Sequence, residues 1–337
     1  MHVSTLVWVV SILVVLGLFV FDFYSHVRTP HEPSLKESGL WSAVYISLAV
    51  VFGIGVWVVS GSQYGGEFFA GFVTEKALSV DNLFVFVIIM AKFAVPRIYQ
   101  QKVLLIGIVM ALVMRGLFIA VGAAAISAYS WVFYIFGAFL LFTAVKLVRE
   151  AASPEGPTAE EEKRESRIAT WFKKVVPTTE HYDGDKLITK VDGKKVATPL
   201  LLALVVIGFT DVLFALDSIP AIYGLTQEPY LVFMANAFAL MGLRQLYFLI
   251  GGLLDRLVYL SYGLSIVLGF IGVKLVLHAL HENTLSFING GEHVAVPVIS
   301  TGVSLSVIIG VLAITTIASL VKSRRDGAKS VNTGGAE

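Results

Sequence analysis

The chain lacks cysteine and is poor in charge. None of its 337 residues is Cys, which excludes disulfide frameworks, thiolate metal sites and cysteine nucleophiles. Only 15% of the residues are charged, whereas 56% are hydrophobic, a composition typical of membrane proteins. The net charge of +1 gives no reason to expect nucleic acid as a partner. There is no phosphate-binding loop and no catalytic signature, so we expect neither an enzyme nor a bound cofactor.

Nine apolar runs are long enough to cross roughly 30 Å of hydrocarbon. They predict an all-α membrane protein with nine transmembrane helices, near residues 4–21, 41–59, 68–91, 103–125, 131–148, 198–219, 231–254, 258–280 and 298–320. The first run lacks a basic n-region and a cleavage site, so we interpret it as a retained span. The polar residues 321–337 are predicted to form a disordered tail.

Lysine and arginine outside these spans fall only in alternate loops. Because such residues accumulate in cytoplasmic loops, the chain is predicted to cross the bacterial inner membrane with its N-terminus outside and its C-terminus in the cytoplasm. The lipid bilayer is therefore the first expected partner. Five of the 25 basic residues lie instead within spans: Lys76, Arg115, Lys146, Arg244 and Lys274.

One pattern of polar residues occurs twice. In the first copy Thr74-Glu75 is followed six residues later by Asp81-Asn82, and in the second Thr210-Asp211 is followed at the same interval by Asp217-Ser218. The arginine and lysine that come later also recur, Arg115 as Arg244 and Lys146 as Lys274. The sequence thus predicts a duplication inside the apolar helices.

The two copies, residues 68–148 and 198–280, hold three predicted helices each. An odd number of crossings forces the second copy to enter the membrane from the opposite face, so the repeats are predicted to be inverted. Inverted repeats are a recurrent plan of secondary transporters, which bind substrate near the midplane between the copies. Two N-terminal helices within residues 1–60, and the helix at 298–320, lie outside the duplication.

The repeated acids predict a cation site. Each intramembrane charge opposes insertion by roughly 2.5 to 3.5 kcal/mol, a cost that suggests a function. Oxygen ligands without thiolate suit hard divalent ions such as Mg²⁺, Ca²⁺ or Mn²⁺. The predicted metal ligands are Glu75, Asp81, Asp211 and Asp217, with Thr74, Asn82, Thr210, Ser218 and Asn236 as auxiliary ligands.

Helix geometry adds a condition to this site. A six-residue step leaves the two acids of each copy about 120° apart around an ideal helix axis. Both can face one ion only where the helix unwinds, which we expect at Ser79 to Asn82 in the first copy and at Pro220 in the second.

The basic residues allow two interpretations. They act as counter-charges or gates for the acids, or they form buried salt bridges that only hold helices together. Lys146 and Lys274 lie near the ends of their spans, where a lysine can reach the interface along its aliphatic stem. For Asn236, an interhelical hydrogen bond is the alternative to a ligand role.

The connection between the copies, residues 149–197, is predicted to be a cytoplasmic loop. Ile168, Trp171, Phe172 and Val175 among lysines indicate a short amphipathic helix at the headgroups. Residues 187–191 and 194–198 flank Asp192-Gly193, which predicts a hairpin with a type I′ turn.

Two motifs, Thr-Glu-Lys-Ala-Leu-Ser-Val-Asp-Asn at 74–82 and Phe-Ala-Leu-Asp-Ser-Ile-Pro-Ala at 214–221, resemble the TerC family of integral membrane proteins and its Alx branch. That family is similar to cation exporters of the LysE-type superfamily. The resemblance implies manganese efflux, an alkaline-pH response or tellurite resistance. The family's acidic residues fall on Glu75, Asp81, Asp211 and Asp217.

We therefore predict a divalent cation exporter that moves Mn²⁺ by alternating access through a carboxylate site at the midplane. The choice of Mn²⁺ comes from the resemblance. Coupling to protons is a hypothesis, since burial raises a carboxyl pKa while a bound cation lowers it. The alternative is a membrane scaffold in tellurite or metal stress, which docks protein partners through residues 149–197 and transports nothing.

Overall fold

The computed structural model describes residues 1, 3–27, 32–152, 156–191, 193–250 and 259–333. Within these ranges the side chains of residues 81, 84, 156–165, 250 and 324–333 fall outside the description. The protein is mostly helical. Its helices are α1 (Thr5–Asp22), α2 (Leu35–Ser60), α3 (Ser62–Lys92), α4 (Arg97–Ala128), α5 (Val132–Ala152), α6 (Gly156–Val175), α7 (Pro199–Tyr223), α8 (Pro229–Leu240), α9 (Leu243–Ile250), α10 (Leu260–His281) and α11 (Thr301–Thr333).

Eight of the described segments are long and apolar enough to cross a membrane, with α8 and α9 counted together as one. The helix α3 is not among them, although it is 31 residues long. Its central part carries three charged residues, Glu75, Lys76 and Asp81, which lower its mean hydropathy. A ninth span therefore stays a prediction.

The helices pack in pairs that cross between the two predicted copies. The helix α3 lies against α8, α4 lies against α7, and α5 lies against α10. Glycines allow the last pair to approach closely. A Cβ atom on Gly137 of α5 would come within 3.0 Å of the carbonyl oxygen of Gly272 on α10, so neither position accepts a larger residue without separating the helices.

The unwinding expected near the acids is absent. Both α3 and α7 are continuous, α3 through Ser79 to Asn82 and α7 through Pro220. The first stretch contains no proline or glycine that would end a helix. Pro220 lies in the last turn of α7, where its missing N–H removes one hydrogen bond, and membrane helices tolerate such a loss. The expectation of two broken helices at these positions is wrong.

A break occurs instead in the middle helix of the second copy, where the sequence predicts one span at 231–254. The helix α8 ends at Leu240, and α9 begins at Leu243. Gly242 between them has φ +79°, a left-handed conformation that glycine adopts without the steric cost of a Cβ atom. The matching helix of the first copy, α4, continues through the equivalent position.

The connection between the copies is folded against the membrane helices. The predicted strands form, as β1 (Ile188–Val191) and β2 (Lys194–Ala197), paired antiparallel. Gly193 in the turn has φ +79°, whereas Asp192 lies outside the described residues. The hydroxyl of Tyr182 donates to the carbonyl of Phe93 at the end of α3 (2.6 Å). Lys102 on α4 binds the carboxylate of Asp185 (2.6 Å).

The amphipathic helix also forms, but it is longer than expected. It is α6, and its residues Ile168, Ala169 and Phe172 pack into the main hydrophobic core. The predicted disordered tail needs correction as well, because α11 continues through Thr333. Residues 321–333 contain no proline, and they include two lysines, two arginines and one alanine, which favour helix. Residues 334–337 lie outside the description.

Candidate functional site

A fully buried arginine lies at the centre of the bundle and joins the two copies. Arg115 on α4 has no solvent-exposed surface. Its guanidinium forms an ion pair with Glu75 on α3 and meets Asp211 on α7 through two bonds, Nε to Oδ2 at 3.3 Å and Nη2 to Oδ1 at 3.2 Å. Such bidentate pairing is among the strongest hydrogen-bonding geometries in proteins. The first acids of the two repeated motifs therefore share one cation.

Neutral groups complete the surroundings of Arg115. Its Nη1 atom donates to the amide oxygen of Asn236 on α8 (2.9 Å) and to the hydroxyl of Ser218 on α7 (3.3 Å). The Asn82 amide, in the orientation that satisfies both its groups, accepts from Nη2 (3.1 Å) and donates to the carbonyl of Leu78. Three predicted auxiliary ligands thus contact the arginine.

Several buried polar atoms near this cluster have no hydrogen-bond partner among the described residues. They are the hydroxyls of Thr74, Ser79 and Thr210 and the amide nitrogen of Asn236. Thr74 and Thr210 are wholly buried, and each directly precedes one of the two acids. A buried polar group without a hydrogen-bond partner costs about 1 to 3 kcal/mol of folding stability. Polar residues at these positions therefore need another partner, such as a bound ligand, or a functional role that offsets the cost.

The second acids of the two motifs are Asp217 and Asp81. Asp217 is half-buried and lies about 120° around the continuous helix α7 from Asp211. The side chain of Asp81 falls outside the described residues. Among the side chains that are described, no group of three or more Asp, Glu or His residues could hold a metal ion. Of the four predicted carboxylates, Glu75 and Asp211 are therefore the two that the described contacts bring together, on Arg115, and the four-carboxylate site stays a prediction.

A second buried arginine has a partner that the sequence did not suggest. Arg244, at the start of α9, pairs with Asp22 at the end of α1, Nη2 to Oδ1 at 2.7 Å. Asp22 also accepts from the hydroxyl of Tyr45 (2.8 Å) and from the amide of Gln245 (3.3 Å), and Arg244 donates to Gln101 (2.7 Å). The sequence does contain a signal for Asp22, because it is a carboxylate at the end of the first apolar run. It is not among the predicted site residues because α1 lies outside the repeat.

The intramembrane lysines have separate positions. Lys76 donates to the carbonyl of Ala239 (3.0 Å), in the last turn of α8, where free carbonyls and the helix dipole attract a cation. Lys274 donates to Ser304 on α11 (3.1 Å). The side chain of Lys146 is about half exposed and pairs with Glu150 one turn away. The exposure of Lys146 agrees with a side chain that reaches the membrane interface rather than with one that gates the central site.

One carboxylate that sequence reasoning missed lies between the cluster and the surface. Glu67 on α3 is buried and accepts from Thr226 (2.6 Å) and Gln63 (3.1 Å). It lines a cleft of about 360 Å³ that also includes Lys274 and His278. Glu67 precedes Glu75 by eight residues, a little more than two helical turns. The cleft therefore approaches the central cluster from the face where α7 and α10 end.

The fold and the buried ion pairs define a multi-pass α-helical membrane protein with charges in its interior. The sequence profile described as "Integral membrane protein TerC family" matches residues 60–327. The chain belongs to this family, which confirms the predicted membership.

Individual relatives support the same assignment. The chain is 52% identical over 324 residues to an uncharacterized membrane protein of Mycobacterium tuberculosis, covering 96% of this chain and 81% of that one. It is 42% identical over 277 residues to "Thylakoid membrane protein TERC, chloroplastic" of Arabidopsis thaliana, covering 82% and 70%. It is 36% identical over 286 residues to "Putative membrane-bound redox modulator Alx" of Photorhabdus laumondii, covering 81% and 87%. No solved structure matches the chain.

Proposed function

We propose that this protein exports a divalent cation, Mn²⁺ in the first instance, from the cytoplasm by alternating access, and that it is not an enzyme. The observation that carries the proposal is the convergence of Glu75 and Asp211 on Arg115 in the apolar interior. These two acids hold equivalent places in the two copies. Two carboxylates from separate helices are costly to bury for packing alone, because small or apolar residues can pack membrane helices.

The packing of the helices supports an inverted repeat. If a two-fold axis in the membrane plane exchanges the copies, the first helix of one copy should contact the second helix of the other, in both directions. The pairs α3 with α8 and α4 with α7 follow this rule, and the third helices, α5 and α10, contact each other. We infer that α3 is the ninth span, since its 31 residues reach about 46 Å at 1.5 Å per residue.

The net charge of the buried cluster suggests a role for Arg115 in the transport cycle. Glu75, Asp211 and Arg115 together carry a net charge of −1. A divalent cation bound while Arg115 remained would make this group +1 in a low-dielectric interior, whereas the cation without Arg115 makes it neutral. Uncompensated charge in such a place costs several kcal/mol. We propose that Arg115 occupies the acids in the ion-free state and withdraws when the cation arrives.

The groups around the acids suit a hard cation. The carboxylate oxygens, the hydroxyls of Thr74 and Thr210 and the amide of Asn236 are oxygen donors, which Mn²⁺ and Ca²⁺ prefer over the thiolates that the chain lacks. The unpartnered hydroxyls have a use once a cation is bound. Asp81 and Asp217 remain proposed ligands of the cation.

Orientation and coupling complete the proposal. The distribution of Lys and Arg supports a proposed orientation with the N-terminus outside the inner membrane and the C-terminus in the cytoplasm. In the return step a proton can neutralise one of the two acids while Arg115 pairs with the other, so that the three groups together carry no net charge. The resemblance to LysE-type exporters agrees with this cycle.

Some relatives are named "Putative membrane-bound redox modulator Alx", which suggests redox chemistry as a second candidate function. This chain has no cysteine, so a thiol–disulfide exchange cannot occur on its own side chains. A scaffold role through residues 149–197 is weakened because Tyr182 and Asp185 bind the chain's own helices. Both observations favour transport.

The test is movement of ⁵⁴Mn²⁺ into proteoliposomes containing the purified protein. Uptake should saturate with Mn²⁺ concentration and should be lost in Glu75→Gln and in Asp211→Asn. The matched control is Glu150→Gln, which removes a carboxylate from the surface pair with Lys146. No uptake by the wild type, or uptake equal in all variants, would refute the proposal.

A further inference from the structure

The two arginines of the repeated pattern are used asymmetrically. Arg115 binds Glu75 and Asp211, whereas its counterpart Arg244 binds Asp22. A two-fold rotation that exchanges the two copies moves Arg115 onto the position of Arg244. The same rotation exchanges Glu75 with Asp211, so the pair of acids stays where it is. One pair of acids is therefore the symmetric target of both arginines, and only one arginine occupies it here.

Arg244 lies on a helix that contacts helices belonging to that target. The helix α9, which carries it, packs against α3 and α4 as well as α2, and α3 and α4 supply Glu75 and Arg115. The break at Gly242 separates α9 from α8 two residues before Arg244. A change at Met241 and Gly242, the two non-helical residues of this break, can reorient α9 without moving α8.

The surroundings of Arg244 hold it less completely than those of Arg115. The Nε atom of Arg244 and the amide oxygen of Gln245 have no hydrogen-bond partner among the described residues, and neither does the hydroxyl of nearby Ser38. These three residues line one small cavity. By contrast, all three nitrogens of the Arg115 guanidinium have partners.

From this asymmetry we infer that Asp22 is a positioning residue that holds Arg244 away from the central acids, and that Arg244 replaces Arg115 on Glu75 and Asp211 in the oppositely facing conformation. In a transporter built from inverted repeats, each copy adopts in the outward-facing state the conformation that the other copy has in the inward-facing state. The inference rests on the proposed function. It adds a third carboxylate, from a helix outside the repeat, whose task is to set the balance between the two states.

Removing the charge of Asp22 and removing the charge of Arg244 should shift the balance between the two conformations in opposite directions. Asp22→Asn weakens the state in which Arg115 holds the acids, so the population in which Arg244 holds them should rise. Arg244→Gln removes the residue that stabilises the second state, so that population should fall. If the pair were only structural, both variants would break the same contact and shift any distribution in the same direction.

Because the chain has no cysteine, spin labels can be attached at two introduced cysteines without a background. Leu13 on α1 and Leu249 on α9 are both exposed. Double electron–electron resonance between spin labels at these two positions measures the distance between the two helices in the full-length protein in lipid nanodiscs. Two distance populations are expected in the wild type, and Asp22→Asn and Arg244→Gln should change their ratio about tenfold in opposite directions, each equivalent to about 1.4 kcal/mol.

Further variants keep the test decisive. Arg115→Gln should shift the ratio in the same direction as Asp22→Asn, and Glu150→Gln should leave it unchanged. If Asp22→Asn fails to fold, Tyr45→Phe removes only the hydroxyl bond to Asp22 and should produce a smaller shift of the same sign. Equal signs for Asp22→Asn and Arg244→Gln, or a single distance in all samples, would overturn the inference. ⁵⁴Mn²⁺ uptake by the same samples separates this failure from a failure of the proposed function, which would show as no transport in the wild type.

Discussion

Arg115 and Asp211 face each other side on in the middle of the bundle, with Nε and Nη2 of the guanidinium 3.3 and 3.2 Å from the two carboxylate oxygens. The pair joins α4 of the first copy to α7 of the second. Because Arg115 is also paired with Glu75, its removal leaves two buried acids without a counter-charge.

We therefore expect Arg115→Gln to lower the free energy of unfolding by about 3 to 5 kcal/mol, the usual cost of breaking a buried ion pair. Added Mn²⁺ should restore much of this loss, since a cation can replace the arginine. Thermal unfolding in detergent with and without Mn²⁺ measures both effects. Arg115→Lys, which keeps the charge, should lose less. A variant that Mn²⁺ does not stabilise would argue against the counter-charge role.

The two buried threonines distinguish a ligand role from a packing role. Replacing Thr74 or Thr210 by Val removes a hydroxyl that has no partner in the described structure while keeping the shape of the side chain. Without cation, the variants should be as stable as the wild type or more stable by about 1 to 3 kcal/mol. With Mn²⁺, they should bind more weakly, as titration calorimetry can show. Unchanged affinity in both variants would remove the threonines from the site.

Lys76 should matter to the broken helix. Its ammonium donates to the carbonyl of Ala239 in the last turn of α8, and hydrogen bonds to charged groups are worth about 1.5 to 3 kcal/mol. Lys76→Met should cost roughly this amount in thermal unfolding. The control is Lys146→Met, where the loss of a half-exposed pair with Glu150 should cost under about 1 kcal/mol. Equal effects would contradict the capping role.

Gly242 allows the break to exist. Its φ of +79° costs any residue with a Cβ atom about 1 to 2 kcal/mol, and an added Cβ would lie 3.1 Å from that of Tyr45. Gly242→Ala should therefore lower stability and slow Mn²⁺ transport. Gly17→Ala, at a helical glycine with open space around it, should be neutral or stabilising by up to about 1 kcal/mol. Normal transport by Gly242→Ala would show that the break has no role in the cycle.

The β1–β2 hairpin should detach only in acid. The hydrogen bond from Lys102 is the main cause that lowers the pKa of the Asp185 carboxyl below its usual value, and it outweighs the opposing effect of desolvation. A depressed carboxyl pKa contributes stability that is complete above the unfolded value, near pH 4, and is lost as the pH falls through the folded pKa. The protection factors of the hairpin amides, which correct each exchange rate for its intrinsic pH dependence, should thus be unchanged from pH 8 to 5 and smaller near pH 3. Asp185→Asn should exchange faster already at pH 7.

Local sequence patterns predicted much of the fold. Hydrophobic length located the membrane helices, since burial in lipid requires an unbroken apolar run. Residues 188–197 form the expected hairpin, because turn chemistry at Gly193 acts over only a few residues. The continuous helices α3 and α7 show the limit: Pro220 was expected to break α7, but a proline in the last turn removes a single bond.

The sequence by itself determined which residues carry charge into the membrane and that the pattern repeats, because composition and spacing are properties of the chain. Only the tertiary structure decided the partners. Arg115 and Arg244 occupy matching places in sequence, yet the break at Gly242 turns one toward Asp22 while the other reaches Glu75 and Asp211. Pairing depends on which helices lie side by side, and that follows from packing across the whole bundle rather than from any local pattern.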